Sequence, residues 1–453
     1  MTNTRARSAL LALLLITAAC GRDDGETAPE TDDETTTTAA DGGDDGGEDA
    51  TALDAGGFGD LEAVCQDGDA SGATAQGVTD TEISVATISD KGFDGLNKEI
   101  YDTALAFTEW CNEQGGILGR EIVLTDADAA LSNYEPVVQD ACERDFALVG
   151  GGAVIDDDVN NVRVGCELPS IPGYVVSETA RVADLQVQPV PNPLDRIGAG
   201  RYQAAKALFP DGIGKFGIMT SDFASVLFVR DQLVNTAEDL GFTVDYTLNY
   251  APAGETGWDN FARDIKDQGI KILEFIGQPA NMAALDQAFE NAGYRPDLVL
   301  LSSNFYDETY KAASAGVAGR TFIQSLYHPL ELADDSKGTQ DYLDLMAQYN
   351  PGGKVAQLGQ QTLSAFLLFA QAATECGSDL TSACLLDAAA SQEEWTGGGM
   401  HAPQSPGNTE PSPCFLVLGL GADGFEYDEE ATRPTDGDGL YNCDPENVSD
   451  VSD

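Results

Sequence analysis

The chain has 453 residues, 42% of them hydrophobic, which is enough for two or three domains with cores of their own. Its 77 acidic residues against 23 basic residues give a net charge of −54, which disfavours nucleic acids and anionic lipid headgroups as partners. This acidity is typical of a soluble protein in a salty exterior, and the alternative is attraction of divalent cations or of a cationic ligand. No apolar run approaches the ~18 residues that a transmembrane helix requires.

The N-terminal segment has the pattern of a secretion signal. Arg5 and Arg7 precede an apolar stretch at 10–16, and small residues then lead to Cys20. This order resembles a bacterial lipobox, with Thr17 where a large aliphatic residue is usual, and it predicts a signal peptide at 1–20 with a lipidated Cys20. A diacylated cysteine would anchor the protein to the bacterial cell membrane. Ordinary signal-peptidase cleavage without a lipid is the alternative.

Residues 21–62 are rich in Thr, Asp and Gly and have almost nothing apolar to bury. This composition predicts a disordered acidic tether, extended by its own charge, that holds the folded part away from the membrane. Binding of a partner by this acidic segment is the alternative.

After the tether, the pattern alternates between short strands and helices. Three prolines at 187–193 then interrupt it and predict a crossover to a second lobe. The alternation itself indicates βαβ units around a parallel sheet. Strands are predicted at 83–88, 121–125, 146–149 and 170–174, and helices at 99–113, 136–145 and 159–166.

A second series of the same kind follows the crossover. Its strands are predicted at 216–220, 243–248, 270–276, 298–301 and 321–324, with the clearest helices at 226–240 and 280–292. Residues 327–329 predict a return crossover, followed by helices at 339–349 and 358–376 and a final strand at 415–418. We predict an α/β fold of two lobes, each a doubly wound and mostly parallel sheet, joined by three crossovers. Lobe 1 would comprise 77–190 and 327–410, and lobe 2 would comprise 191–326 and 411–445.

The motifs of common enzymes are missing or misplaced. The GxGxxG matches at 212–217 and 419–424 do not join a strand to a following helix, as a dinucleotide-binding loop does. His328 and His401 are the only histidines, and no CxxC, P-loop, HExxH or GxSxG motif is present. Residues 436–439 (DGDG) predict a turn and not a calcium loop. The sequence therefore predicts no catalytic residue, no metal and no cofactor.

Two segments resemble one family of binding proteins. Residues 77–83 (GVTDTEI) precede the first strand, and 112–122 (NEQGGILGREI) join the first helix to the second strand. Both resemble the Leu/Ile/Val-type periplasmic binding proteins, the branched-chain amino acid family, and the likeness extends over about 77–430. The resemblance implies a type I two-lobed fold, a solute held between the lobes, and delivery of that solute to an ABC transporter by a monomeric, non-enzymatic protein.

The ligand and the role leave alternatives. The expected ligand is a small polar organic solute, such as an amino acid, an amide or a related compound, with or without a cationic group. The alternative roles are a ligand-sensing receptor of the same fold, a secreted α/β hydrolase, and a purely structural surface protein.

The resemblance places candidate ligand residues after the strands of lobe 1. Phe93 lies in the loop after the first strand, where an aromatic side chain commonly covers the ligand, and Ser177 matches the family's hydroxyl after the fourth strand. The loop at 151–156 (GGAVID) lacks the serines that hold an amino-acid carboxylate, and Asp156 would oppose an anion. This departure disfavours an ordinary α-amino acid as the ligand.

In lobe 2, residues that follow the predicted strands should face the cleft, because ligands bind at the carboxyl ends of parallel strands. Asn304 stands where a carboxylate often binds the ligand ammonium, so Asp222 or Asp156 would supply that charge. A helix N-cap role is the alternative for both acids. The candidates of this lobe are Ser221, Asp222, Phe223, Gln278, Ser303, Asn304 and Tyr306.

Eight cysteines remain after Cys20, an even number that suggests disulfides in an exported protein. With right-handed crossovers and the strand order 2-1-3-4 of the resemblance, the helices near Cys142 and Cys166 share one face of the sheet. This placement favours Cys142–Cys166 and leaves Cys65 for Cys111, while other pairings of these four stay open. Cys376–Cys384 would close a short loop, and Cys414–Cys443 would tie down the tail.

Overall fold

A computed structural model of the chain describes residues 53–157, 160–251, 253–408, 410–435 and 439–451. The predicted signal peptide, Cys20, most of the predicted tether and most of the turn at 436–439 lie outside the described residues. The described residues form two α/β lobes around sheets of four and seven strands, together with one two-stranded ribbon. No helix in these ranges is long and apolar enough to cross a membrane.

Lobe 1 is built on a parallel sheet with the strand order β2-β1-β3-β4, which confirms the predicted βαβ pattern. The last strand is shorter than predicted because Pro172 follows it and has no amide proton to donate to the ladder. The elements are β1 (Glu82–Ser89), α1 (Lys98–Glu113), β2 (Glu121–Asp128), α2 (Tyr134–Arg144), β3 (Ala147–Val149), α3 (Asn160–Gly165), β4 (Ser170–Ile171) and α4 (Glu178–Arg181).

Lobe 2 follows and contains the larger sheet, in which β7-β6-β8-β9-β10 are parallel neighbours. Helices cover both faces of this sheet, so its central strands are buried throughout. The elements are β5 (Arg196–Gly198), α5 (Gly200–Leu208), β6 (Phe216–Ser221), α6 (Ala224–Asp239), β7 (Val244–Tyr250), α7 (Trp258–Gln268), β8 (Ile272–Ile276), α8 (Pro279–Ala292), β9 (Leu298–Leu301), α9 (Glu308–Ser314) and β10 (Thr321–Ser325).

The chain then returns to lobe 1, where α10 (Lys337–Tyr349), α11 (Gln357–Cys376) and α12 (Ser382–Ala390) pack on the core of that lobe. A third crossover leads back to lobe 2. There β11 (Leu416–Leu420) and β12 (Phe425–Tyr427) extend the sheet as antiparallel strands, followed by α13 (Glu429–Thr432). Finally β13 (Val448–Asp450) pairs with β5 as the ribbon. The sequence did not predict α12 or this ribbon.

Residues 53–62 belong to the core of lobe 1, which corrects the predicted end of the tether. Leu53 and Phe58 are fully buried, and the Leu53 carbonyl accepts a hydrogen bond from Trp110 Nε1 at 2.9 Å. Phe58 also packs edge-on against Trp110, with 6.4 Å between ring centroids. A few apolar side chains among glycines and acids suffice here because the Cys65–Cys111 disulfide holds this segment against α1.

The glycine-rich segment at 112–122 has a structural role. Gly116 has φ +72°, and a Cβ there would lie 2.1 Å from the Arg120 carbonyl oxygen, so only glycine fits this turn. The Asn112 side chain exchanges two hydrogen bonds with the Ile122 backbone, at 2.7 and 2.9 Å. These contacts join the end of α1 directly to β2.

Four disulfides connect the described cysteines, and their pairings are those that the sequence favours. Two of them attach neighbouring segments to helices of lobe 1, through Cys111 of α1 and Cys142 of α2. One closes a loop after α11, and one joins the third crossover to the C-terminal segment. The pairs are Cys65–Cys111, Cys142–Cys166, Cys376–Cys384 and Cys414–Cys443.

Candidate functional site

A cavity of about 340 Å³, which we call the cleft cavity, lies between the two lobes. Lobe 1 contributes residues that follow β1, β3 and β4, and lobe 2 contributes residues that follow β6, β8 and β9. These are carboxyl ends of parallel strands, where an open α/β sheet binds its ligands. The volume lies at the lower end of the range of about 300–1,000 Å³ that is usual for small-molecule sites.

Five of the predicted residues line this cavity, and all five belong to lobe 2. Their loops are linked to each other, because Asn304 Nδ2 donates to the Gly277 carbonyl at 2.8 Å and Ser302 Oγ donates to Asn304 Oδ1 at 2.6 Å. The loops after β8 and β9 are therefore connected by hydrogen bonds in the lobe 2 wall. The five residues are Ser221, Phe223, Gln278, Ser303 and Asn304.

Two other predicted residues of lobe 2 lie away from the cleft cavity. Asp222 is exposed, because the alternation of side chains along β6 places it on the opposite side of the chain from Ser221. It accepts a hydrogen bond from Asn249 at 3.1 Å. Tyr306 comes after a tight turn that follows β9 and points away from the cleft. Its hydroxyl donates to Glu331 and accepts from the Leu330 amide at 2.7 Å.

Phe93 and Ser177 of lobe 1 also lie away from the cleft cavity. Phe93 stays in the loop after β1, while Leu96 and Asn97 of the same loop reach the cavity. Ser177 is buried and caps α4, because its hydroxyl accepts the Ala180 amide at 3.2 Å. A structural requirement of the short helix thus occupies this hydroxyl.

Asp156 also has a structural role. Its side chain is 2% exposed, and its carboxylate accepts the amides of Val176 and Ser177, both at 2.8 Å. Burial raises the pKa of Asp156, and the two backbone hydrogen bonds offset part of that rise. Asp156 therefore holds the loop that leads into α4 and does not line the cleft cavity.

The remaining polar lining was not predicted from the sequence. Tyr174 follows β4 by three positions, and Asn192 lies in the first crossover, so both could have been found by extending the strand-end rule to the crossovers. Asn97 Nδ2 donates to Tyr174 Oη at 2.9 Å, and Gln361 reaches the cavity from α11. No pattern in the sequence indicates that Arg181 would line the cavity.

Arg181 is the charged residue of the cleft cavity. It is 8% exposed, its Nε donates to the Val176 carbonyl at 3.1 Å, and its Nη1 donates to Gln232 Oε1 on α6 at 2.9 Å. Its guanidinium also lies over the Phe228 ring, 5.4 Å from the centroid. Burial lowers the pKa of Arg181 to about 10, with Asp156 offsetting part of the effect, so the side chain remains a cation at neutral pH.

A second cavity of about 270 Å³, which we call the hinge cavity, adjoins the cleft cavity at the crossovers. The two share Tyr174, Asn192 and Gln361 among their lining residues. Arg201 lines the hinge cavity, but its Nε and Nη2 donate to the buried Glu274 carboxylate at 3.1 and 2.8 Å. Its charge is thus neutralised within the protein.

The lobes touch each other on both sides of the cleft cavity. On one side, Ser225 Oγ of lobe 2 donates to the Val154 carbonyl of lobe 1 at 2.7 Å. On the other side, Lys354 of lobe 1 contacts Glu99 of its own lobe at 2.9 Å and Asp307 of lobe 2 at 2.5 Å. The structure is therefore a form in which the lobes are in contact around the cavity.

This chain covers almost the whole length of several solved structures that have the same two-lobed architecture. A possible leucine/isoleucine/valine-binding protein from Rhodopirellula baltica has a TM-score of 0.65 at 12% identity, over 79% of this chain and 99% of that one. A fatty acid ABC transporter substrate-binding protein from Thermomonospora curvata has a TM-score of 0.63 at 14% identity, over 79% and 95%. A leucine-binding protein from Thermotoga maritima has a TM-score of 0.62 at 12% identity, over 76% and 97%.

These likenesses define the fold as that of type I periplasmic binding proteins, as predicted from the sequence. The sequence profile of one family, described as periplasmic binding protein, matches residues 196–422, which is half of the chain. The chain belongs to the periplasmic binding protein family. No curated protein sequence matches it.

Proposed function

We propose that this protein captures a small organic solute in the cleft cavity and presents it to an ABC importer from outside the cytoplasmic membrane. The observation that carries the proposal is the cavity itself, which is walled by strand ends of both lobes. Closure of two such lobes over a ligand is a hinge motion, and the three crossovers are where it would bend. The family is one of solute-binding proteins and not of enzymes.

The ligand residues follow from the cavity walls. We assign ligand contact to Ser221, Phe223, Gln278, Ser303 and Asn304 from lobe 2, and to Tyr174, Arg181 and Asn192 from lobe 1 and its crossover. Asp156 and Asp222, the predicted partners of a cationic ligand, leave this set because neither lines the cavity. Leucine and fatty acids are named for three of the structural relatives, and both of these ligands carry a carboxylate.

The anchoring of the protein is part of the same proposal. Signal cleavage before Cys20 and lipidation of that cysteine would tether the binding domain to the outer face of the membrane. Globomycin treatment and a Cys20→Ser variant test this. Globomycin blocks cleavage after lipid attachment and should cause a lipidated, uncleaved precursor to accumulate. Cys20→Ser cannot be lipidated and should not incorporate labelled fatty acid, whereas the wild-type protein should. Equal labelling of the two proteins, or none in the wild type, would contradict the anchor.

Thermal unfolding tests solute capture. The exported chain without its lipid would be heated with amino acids, amides, carboxylic acids, polyamines and sugars in turn. A ligand present at a hundred times its Kd adds about 2.7 kcal/mol to the stability and raises Tm. We expect one chemical class to raise Tm. Protein that is first unfolded and refolded, to release any co-purified ligand, and that then responds to nothing would contradict solute capture.

A matched pair of variants locates the ligand. Ser303→Trp places a large ring in the cleft cavity and should abolish the rise in Tm. Ser71→Trp makes the same change at an exposed position of lobe 1 and should leave the rise intact. Equal responses of the two variants would show that the ligand binds outside the cleft cavity.

A further inference from the structure

The hydrogen-bonding groups of the cleft cavity are unequally satisfied. Several carbonyls of its wall already accept a hydrogen bond from a side chain. Ser225 Oγ donates to Val154 at 2.7 Å, Arg181 Nε to Val176 at 3.1 Å, and Asn304 Nδ2 to Gly277 at 2.8 Å. These three acceptors of the wall are thus occupied by the protein.

Three donors of the wall remain available to a ligand. Gln278 Nε2 is buried without a hydrogen-bond partner among the described residues. Arg181 Nη2 has no acceptor among the described residues, and none of their carboxylates forms an ion pair with its guanidinium, although the nearby Asp156 raises its pKa. Tyr174 Oη accepts from Asn97, and burial raises its pKa well above the usual value, so it keeps a proton to donate.

The described lining residues of the cleft cavity also carry an unbalanced positive charge. The described residues that line it include one guanidinium and no Asp or Glu. The nearby acid, Asp156, is bound to two backbone amides. A buried cation without an anionic partner is unfavourable, and an anionic ligand would remove this cost.

We infer that the solute of the cleft cavity is an organic carboxylate without a cationic group, and that Arg181 binds its carboxylate. The inference rests on the proposed function and names its substrate class. A planar guanidinium suits a carboxylate because its N–H groups match the two oxygens. The rest of the solute would lie against the apolar wall, which includes Leu96, Val175, Phe223, Val226 and Ile276. An ammonium group would find no carboxylate in this wall.

Binding of paired compounds to the wild-type protein tests the inference. One series consists of straight, branched and phenyl-substituted carboxylic acids of four to ten carbons, the other of their primary amides, and calorimetry gives each Kd. Removing one partner of a buried charge pair costs about 2 kcal/mol or more, so the best acid should bind at least about 30-fold more tightly than its amide. L-Leucine should bind more weakly than 4-methylpentanoate, which lacks only the ammonium group.

Variants assign the preference to Arg181. Arg181→Gln should remove most of the preference for acid over amide while retaining binding of the amide, and Arg181→Lys should keep part of it. Arg263→Gln removes the same charge from an exposed position on α7 and should leave the preference unchanged. Because this control changes the net charge equally, it separates local binding from the field of the whole acidic chain. If Arg181→Gln does not fold, the wild-type comparison decides alone.

Four results would overturn the inference. They are equal affinity of acids and amides, tighter binding of L-leucine than of 4-methylpentanoate, an unchanged preference in folded Arg181→Gln, and binding of another class, such as sugars, with no binding of acids. In the last case the proposed function would stand and only the substrate class would fall. If no compound of any class binds, the proposed function falls and the inference falls with it.

Discussion

Lys354 and Arg181 are two of the cations that connect the lobes, and they differ in the partners that the protein supplies for them. Lys354 of lobe 1 meets two buried carboxylates, Glu99 and Asp307, of which the second belongs to lobe 2. Arg181, also of lobe 1, meets the amide of Gln232 and the ring of Phe228 across the interface. Lys354 is paired with anions, whereas Arg181 has no ion pair among the described residues.

The comparison assigns a structural role to Lys354 and a ligand-binding role to Arg181. Burial lowers the pKa of Lys354, but the carboxylates of Glu99 and Asp307 outweigh burial, so its pKa is raised. For Arg181 burial prevails, and its pKa falls to about 10. Arg120 and Arg163 are also buried and have no ion pair among the described residues, but both donate to backbone carbonyls and neither lines the cleft cavity. Arg181 differs because it lines that cavity, which is why we assign the anion to it.

The largest expected effect comes from breaking the paired cation. Lys354→Met leaves Glu99 and Asp307 buried next to each other without a counter-charge, which typically costs about 3–5 kcal/mol. Urea unfolding at pH 7 measures the loss. Lys215→Met, which breaks an exposed pair with Asp245, should cost about 1 kcal/mol or less. Equal losses in the two variants would mean that the Lys354 cluster is effectively solvated.

The unpaired cation should matter less for stability. Arg181→Met, studied without ligand, removes hydrogen bonds to Val176 and Gln232 but strands no carboxylate. We expect a loss of about 1–2 kcal/mol, which is smaller than that for Lys354→Met, because each lost hydrogen bond is worth about 1 kcal/mol. A loss as large as that of Lys354→Met would indicate that Arg181 has an anionic partner within the protein.

The pH dependence of the paired cluster sharpens the comparison. Burial raises the pKa of Glu99 above its usual 4.5, and Lys354 offsets only part of that rise. A raised carboxyl pKa favours the protonated folded form, so this stabilising contribution is complete below pH 4.5 and is lost as the pH rises through the folded pKa. Glu99→Gln removes the titration.

The stability of Glu99→Gln relative to wild type should therefore increase with pH across that window. The increase is about 1.4 kcal/mol for each unit by which the folded pKa exceeds the usual value. Unfolding curves at half-unit steps from pH 4 to pH 8 give the difference. A difference that stays flat, or that falls with pH, would contradict the raised pKa.

The topology could be predicted from the sequence because its signals are local. Alternating strand and helix patterns, the prolines at 187–193 and the handedness of crossovers are enough for the lobes and the favoured disulfide pairs. In lobe 2, the strand-end rule found five cavity residues because β6, β8 and β9 end directly at the cleft. There the pleat alone separates Ser221 from Asp222.

The cavity-lining residues of lobe 1 could not be predicted from the sequence because long-range packing positions them. Arg163 and Arg181 lie in the short helices α3 and α4, but Arg163 donates to the carbonyls of Leu168 and Asp184 and has a structural role. Contacts with Gln232 and Phe228 of α6, far along the chain, distinguish the place of Arg181. The end of the tether escaped prediction for the same reason, since Leu53 is buried by α1.

The smallest expected effect concerns the uncharged contact between the lobes. Ser225→Ala removes the hydroxyl that donates to the Val154 carbonyl at 2.7 Å and should cost about 1 kcal/mol or less in urea unfolding. Ser391→Ala removes a similar hydrogen bond, to the Ala388 carbonyl at 2.8 Å, inside lobe 1. Small-angle X-ray scattering separates the two, because only Ser225→Ala should increase the radius of gyration of the ligand-free protein. If both variants scatter like wild type, the charged contact at Lys354 holds the lobes together without the hydrogen bond of Ser225. The two sides of the cleft then differ in strength by more than one hydrogen bond.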